Sequence, residues 1–184
     1  MRFHITVYIA TLALNITLYS CKDETKAPAQ KAGIIEFSIP NTEEEIKEKY
    51  PNGVHKTSIF YSTDTKEKVA EVSFHDNGRP YTNRKFANGT MNGESWSYYK
   101  DGKPWSLNTF KNGALDGKYK TWHENGQVNI EGQYIEGKED GDWLTFYPNG
   151  QINTRGLYNL GKKTGVWSSY SEEGKLLKEQ DFTK

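Results

Sequence analysis

The chain has 184 residues, and its 24 basic and 24 acidic side chains give a formal net charge of zero at neutral pH. A nucleic-acid-binding protein normally presents a basic face, so this balance argues against that class. The single cysteine excludes an intrachain disulfide, while the aromatic content of 14% is a large apolar share that the fold must place.

The first 20 residues have the pattern of a signal peptide. Arg2 supplies a positive charge, and residues 5–18 form an uncharged, mostly apolar stretch of about 14 residues, shorter than the roughly 20 needed for a membrane-spanning helix. Residues 18–21 (Leu-Tyr-Ser-Cys) resemble a lipobox, although Tyr19 stands where a smaller residue is usual. We expect lipidation of Cys21, since two or three acyl chains give stable anchoring; a lone unmodified thiol is the alternative.

Residues 21–33 have the composition of a flexible tether. Lys22, Asp23 and Glu24, directly after the cysteine, resemble a lipoprotein surface-export signal, and an ordinary polar tether explains them equally well. We therefore expect a protein anchored through lipid in the bacterial envelope. The outer membrane is the expected location, with either periplasmic or cell-surface orientation.

Residues 34–184 form the predicted repeat domain. Ile34–Ile39 has the composition of a strand. Thr42–Lys49 could begin a helix capped by Thr42, but its apolar and polar residues alternate toward Tyr50-Pro51-Asn52-Gly53. This turn matches Tyr147-Pro148-Asn149-Gly150 residue for residue. A strand is therefore the better prediction for Thr42–Lys49.

A period of 24 residues runs through the rest of the chain. Three glycine series and two aromatic series hold this period independently: Gly93, Gly117, Gly141, Gly165; Gly102, Gly126, Gly150, Gly174; Gly89, Gly113, Gly137, Gly161; Phe86, Phe110, Tyr134, Tyr158, Phe182; and Phe74, Tyr98, Trp122, Phe146, Tyr170. The first turn, Tyr50–Gly53, is one residue out of frame, which places an inserted residue in the Ser62–Lys68 loop.

Four consecutive units contain an Asx-Gly dipeptide between two runs of β-favouring residues, which predicts a hairpin closed by a type I′ turn. The dipeptides are Asn77-Gly78, Asp101-Gly102, Asn125-Gly126 and Asn149-Gly150. Longer Gly-rich links such as Lys111–Gly117 are then expected to join consecutive hairpins. The predicted fold is all-β: tandem hairpins of 24 residues in an elongated, twisted antiparallel meander of about a dozen strands.

The unit Gly-x-Trp-x-x-(Phe/Tyr)-Tyr-x-x-Gly is best kept at Gly141–Gly150, and in Gly93–Gly102 its tryptophan slips one place to Trp96. Across about residues 45–182 the chain resembles the bacterial variant of the MORN repeat. This resemblance implies a β-hairpin array. Members are often labelled antitoxin-like, and eukaryotic relatives are associated with membranes, lipids and protein scaffolding.

No catalytic, cofactor or metal-binding constellation is predicted. His75 and His123 occupy the turn position filled by tyrosine in other units, so they are expected to replace a ring on the sheet. No Cys/His cluster or His-x-x-x-His pattern suggests a metal site, and the acidic residues set no pair apart for hydrolysis. We expect a protein that is not an enzyme.

The expected function is a non-catalytic binding scaffold in the cell envelope, with an unknown protein or polysaccharide as partner. A toxin-neutralising role is the alternative that the resemblance suggests, and surface glycan binding is a third. Most rings are expected to be core. The candidate binding surface comprises Trp105, Trp96, Trp122, Trp143 and Trp167. Trp105 stands out because Asn129 and Asn153 hold its place in later units.

Overall fold

The computed structural model describes residues 39–183. The signal peptide, Cys21, the tether and all but the last residue of the predicted strand Ile34–Ile39 lie outside the described residues. The described strands are β1 (Thr42–Lys49), β2 (His55–Ser62), β3 (Lys68–Phe74), β4 (Pro80–Ala87), β5 (Thr90–Met91), β6 (Gly93–Tyr98), β7 (Pro104–Lys111), β8 (Ala114–Trp122), β9 (Val128–Ile135), β10 (Lys138–Phe146), β11 (Ile152–Asn159), β12 (Lys162–Tyr170) and β13 (Leu176–Asp181).

The strands form one open antiparallel sheet in which neighbours in sequence are neighbours in space, apart from the short β5, which pairs with β4. This confirms the predicted meander of hairpins. Thr42–Lys49 is a strand, as predicted, and not a helix. The longer connection between β2 and β3 lies where the inserted residue was expected. Within residues 39–183 there is no helix long and apolar enough to cross a membrane.

The turns that connect the strands at one end, such as Tyr147–Gly150 between β10 and β11, are not of the predicted type. In Tyr147–Gly150 the Gly150 amide donates to the Tyr147 carbonyl (2.9 Å), and the Tyr147 amide donates to the Gln151 carbonyl (2.8 Å). Gly150 has φ of +86°, while Asn149 is not among the residues with positive φ. This is a three-residue loop, a type I turn followed by a left-handed glycine. The type I′ prediction at these sites was wrong, because the Asn149 side chain instead accepts the Gln151 amide (2.9 Å).

Type I′ turns connect the strands at the opposite end. At Asn112-Gly113 both residues have positive φ, +51° and +85°, and β8 begins at the next residue. The expected long link over Lys111–Gly117 is therefore a tight two-residue turn. Its equivalents are Asn88-Gly89, Glu136-Gly137 and Leu160-Gly161. The last two carry no Asx residue, which hides the turn from sequence reasoning.

A hydrogen bond from the side chain of the first residue of a type I turn connects adjacent units. The hydroxyl of Tyr147 donates to the carbonyl of Tyr170 (3.0 Å) in the next unit, and Tyr50 and Tyr99 do the same. In the same position, the Nε2 of His123 hydrogen-bonds to the carbonyl of Phe146 (2.9 Å), and the Nε2 of His75 hydrogen-bonds to the carbonyl of Tyr98. Because a carbonyl only accepts, this Nε2 carries the proton. The histidines thus replace tyrosine, as predicted.

A row of small hydroxyl side chains crosses one face of the sheet, each residue directly opposite the next, interrupted by Ile130. Its members are Thr57, Ser73, Thr82, Ser97, Ser106, Thr121, Thr145, Thr154 and Ser169. Thr145 and Thr154 share a hydrogen bond of 2.7 Å, whereas the buried Thr82 hydroxyl has no partner among the described residues. We call the face that carries this row the hydroxyl face.

A buried apolar cluster lies in the N-terminal half, on the face opposite the hydroxyl row. Phe60, Ala70, Val72 and Phe74 form a buried cluster there, and Ile39 and Val69 pack against it. Because Val72 is directly opposite Ser58 on β2 and Asn83 on β4, this cluster belongs to consecutive strands of the meander.

Candidate binding surfaces

The five tryptophans proposed as a binding surface lie in three different settings. Directly paired residues on antiparallel strands share a face, and this rule places Trp143 and Trp167 on the hydroxyl face, beside Thr145 and Ser169. The structure therefore does not gather the five rings into one surface.

Trp96 and Trp122 lie on the opposite face. The slip of one place in the repeat frame explains Trp96, since successive strand residues point to opposite faces; Ser95 takes the vacated position. The indoles of Trp96 and Trp122 stack, with centroids 5.8 Å apart and an interplanar angle of 21°. Trp122 is only 5% exposed, so this pair serves packing and Trp122 is not accessible to a partner.

Trp105 is the extra residue of a β-bulge at the start of β7. The pairing shifts from Ser97 opposite Ser106 to Tyr98 opposite Pro104, which leaves Trp105 without a partner. Bulges of this kind redirect a side chain out of the regular ladder. Trp105 is 43% exposed, consistent with the prediction that its ring is hard to explain as core.

Tyr81 occupies the equivalent bulge one unit earlier and was missed by sequence reasoning, although its spacing of 24 residues from Trp105 could have revealed it. It is 41% exposed, and its ring is nearly parallel to that of Trp105, with centroids 6.5 Å apart and an angle of 10°. Tyr99 contacts Trp105 and His75 contacts Tyr81. We call these four residues, His75, Tyr81, Tyr99 and Trp105, the turn-edge patch.

Ion pairs border the turn-edge patch. Lys100 Nζ lies 2.7 Å from Asp76, and Lys103 Nζ lies 3.0 Å from Asp101. A hydrogen bond from Lys100 lowers the pKa of Asp76, and the backbone amide and ammonium group of Lys103 lower the pKa of Asp101. Both carboxylates are consequently charged at neutral pH. The patch is thus an exposed aromatic centre with a charged rim.

The hydroxyl face carries a second aromatic group in the C-terminal half. Its rings form an unbroken series of contacts with centroids 5.0–5.6 Å apart. The members are Tyr119, Tyr134, Trp143, Tyr158 and Trp167, which we call the aromatic ladder. Each ring comes from a different strand, β8 to β12, so the ladder runs across the sheet.

Two glycines without positive φ leave room for the indoles of the ladder, because a side chain at either position would overlap the indole. A Cβ added to Gly132 would lie 2.2–2.7 Å from three ring atoms of Trp143, and one added to Gly156 would lie 2.1–2.5 Å from three ring atoms of Trp167. Three ring atoms so close to one point mean that each indole lies face-down on the backbone of its glycine. The opposite face of each ring is directed away from the sheet.

Comparison with protein families gives four matches to the MORN repeat variant, at residues 91–112, 115–136, 139–160 and 163–184. The chain belongs to this family. Each matched MORN repeat contains two strands joined by a type I turn, from β6–β7 to β12–β13. The aromatic ladder lies wholly within the matched repeats, whereas the turn-edge patch joins the first of them to the hairpin before it.

No curated protein matches this MORN-repeat chain. Among solved structures, it is similar to the crystal structure of TarM and to that of a mutant of S. aureus TarM in complex with fondaparinux, alpha-GlcNAc-glycerol and UDP. The identity is 14% and the TM-score 0.30 in both cases, and the matches cover 67% and 68% of this chain. The chain spans about a fifth of the length of those proteins, 21% in each case.

A group of three charged side chains lies on β3 and β4, before the matched repeats. Glu71 receives Lys68 (2.6 Å) and Arg84 (3.0 Å) on its two oxygens. Burial alone would raise the pKa of Glu71, but these two cations hold it below its ordinary value. Between residues 39 and 183, no group of three His, Cys, Asp or Glu side chains could hold a metal ion.

Proposed function

We propose that this protein is a membrane-anchored, non-catalytic scaffold of the bacterial envelope that binds a protein partner through the turn-edge patch. The observation that carries the proposal is the exposed, nearly parallel pair of Tyr81 and Trp105. Both residues stand in bulges, outside the regular pairing of the strands. The anchor rests on the lipobox-like sequence that ends at Cys21.

The composition of the patch favours a protein partner. Binding hot spots in protein interfaces are enriched in tryptophan and tyrosine and are surrounded by polar groups that exclude water. Here two exposed rings lie inside a rim of ion pairs from Asp76, Lys100, Asp101 and Lys103. In the next two units Asn129 and Asn153 replace the ring, so these units do not repeat the patch.

The patch is tested by capture from envelope extract with the full-length chain as bait. A partner should bind wild type and be lost with Trp105→Ala and Tyr81→Ala, because each change removes part of the aromatic centre. Melting temperatures should change little, since exposed substitutions usually alter stability by at most about 0.5 kcal/mol. Trp143→Ala, on the hydroxyl face, is the control that should retain the partner.

Two results would count against the patch. Equal capture by wild type and Trp105→Ala would remove it as the binding site, and a large loss of stability in Trp105→Ala would show that the ring is core. Recovery of a toxin that the chain inhibits would identify the partner and give the scaffold a toxin-neutralising role.

The anchor is tested separately by cell fractionation. Replacing Cys21 with alanine removes the only thiol, so the protein should leave the membrane fraction or accumulate uncleaved. A processed, membrane-bound Cys21→Ala variant would contradict the lipoprotein assignment and leave the binding patch unaffected.

A further inference from the structure

Flat and upright rings alternate along the aromatic ladder from Tyr134 to Trp167. Trp143 lies flat on Gly132, while Tyr134 and Tyr158 on either side are perpendicular to it, with interplanar angles of 88° and 81°. Tyr158 is also perpendicular to Trp167, at 78°. Each flat indole is therefore a floor, and the upright tyrosine rings stand beside it.

The polar atoms of three of these rings make no hydrogen bond within the described part of the chain. Among residues 39–183, the hydroxyls of Tyr134 and Tyr158 and the indole N–H of Trp143 make no hydrogen bond, and they are not among the buried atoms that lack a partner. They are therefore open to solvent. The tyrosines of the turns differ, since Tyr99 and Tyr147 donate to backbone carbonyls.

An acidic residue, Glu139, lies on the same face of the sheet as the tyrosine rings. Glu139 lies directly opposite Tyr134 in the pairing of β9 with β10. Burial and, next, the negative charge of Glu139 raise the pKa of Tyr134 and of Tyr158. The Glu139 carboxylate thus lies on the same face as Tyr134 and adds a hydrogen-bond acceptor to the donors there.

We infer that the aromatic ladder is a carbohydrate-binding site for an extended β-1,4-linked polysaccharide, with Trp143 as its main floor. A pyranose ring presents C–H groups on its flat faces, which pack on an indole, and hydroxyls around its edge, which need donors and acceptors beside that indole. Flat Trp143, the free hydroxyls of Tyr134 and Tyr158 and the Glu139 carboxylate supply both. This role goes beyond the proposed protein binding and does not depend on it.

The spacing of the floors suits an extended chain. Trp143 lies on Gly132 of β9 and Trp167 on Gly156 of β11, two strands apart, which is ~10 Å at the usual strand separation. This is about the length of a disaccharide in an extended β-1,4-linked chain. Lys163 Nζ lies 4.1 Å from the Trp167 ring centroid, so the second floor already has a cation against it, while the first has the Tyr119 ring nearly parallel to Trp143, at 15° and with centroids 5.5 Å apart.

The inference is tested with cellohexaose and chitohexaose as probes and maltohexaose, whose α-1,4 linkage curves the chain, as the control sugar. The full-length chain is kept in a polyoxyethylene detergent, because sugar-based detergents would compete. Isothermal titration calorimetry should show binding of at least one β-linked probe with a Kd below ~1 mM and weaker binding of maltohexaose.

Trp143→Ala should abolish binding, while Ile46→Ala, an exposed position on β1 outside both aromatic surfaces, should leave it unchanged. Because loss of an indole can disturb the sheet, Tyr134→Phe and Tyr158→Phe provide the second test: they keep both rings and should together weaken binding by about fivefold or more, through the lost hydrogen bonds. No binding of either β-linked probe at ~1 mM, equal binding of maltohexaose, or wild-type affinity in the double tyrosine variant would each overturn the inference.

Discussion

Replacing Gly156 with alanine tests how the indoles of the ladder are seated. The backbone at Gly156 is not in the left-handed region, so alanine can adopt its conformation. Its Cβ, however, would lie 2.1 Å from Cδ2 and 2.2 Å from Cε2 of Trp167. Both are ring atoms fixed between strands, so the indole must leave its seat.

The expected loss of stability follows from what Trp167 gives up. A tryptophan buries about 150–250 Å², and losing about half of this at ~25 cal/mol per Å² costs roughly 2.5 kcal/mol. The bond from its Nε1 to the Leu157 carbonyl (3.0 Å) adds about 1 kcal/mol. Alanine returns about 0.5–1 kcal/mol by restricting the unfolded chain. Gly156→Ala should therefore destabilise the protein by about 2–3 kcal/mol.

The measurement is equilibrium urea unfolding followed by far-ultraviolet circular dichroism, in a double-mutant cycle with Trp167→Ala. Once the indole is absent, Gly156→Ala should be neutral or stabilising by up to about 1 kcal/mol. A neutral Gly156→Ala in the wild-type background, or an equal loss in both backgrounds, would refute the seating of Trp167 on this glycine.

Three further outcomes are expected. Tyr147→Phe removes a hydroxyl bond between adjacent units and should cost about 1 kcal/mol in urea unfolding. Thr82→Val removes a buried hydroxyl without a partner and should stabilise the fold, whereas Thr154→Val breaks a hydroxyl pair and should destabilise it; opposite signs in thermal melting check this. The lowered pKa of Glu71 means that its contribution is complete above its unfolded value of about 4.3 and is lost as pH falls through the folded pKa, so the melting temperatures of wild type and Glu71→Gln should converge in acid.

The turns show how far local sequence reasoning reaches. Asn149-Gly150 is a favoured type I′ dipeptide, yet Pro148 before it and the Asn149 side chain support a type I turn with one left-handed glycine. Type I′ turns occur instead where Glu136 and Leu160 adopt positive φ. The chain accepts this local strain because the paired strands on both sides fix the two-residue connection.

The tryptophans show a second limit. Their repeat spacing identified a common frame, but a shift of one residue placed Trp96 on the opposite face from Trp143. The bulge that exposes Trp105 and Tyr81 is a property of strand pairing, and the seating of Trp143 on Gly132 joins residues from different strands. Neither relation is visible in the spacing of residues along one strand.

The sequence by itself determined the period, the antiparallel hairpins and the absence of a second cysteine, because glycines and aromatic residues at fixed intervals dictate where strands turn and alternate. Tertiary structure alone decided which face each ring occupies and which rings are exposed, because these depend on register between neighbouring strands. It also decided that glycine is required at 132 and 156, since the need arises from an indole contributed by the next strand.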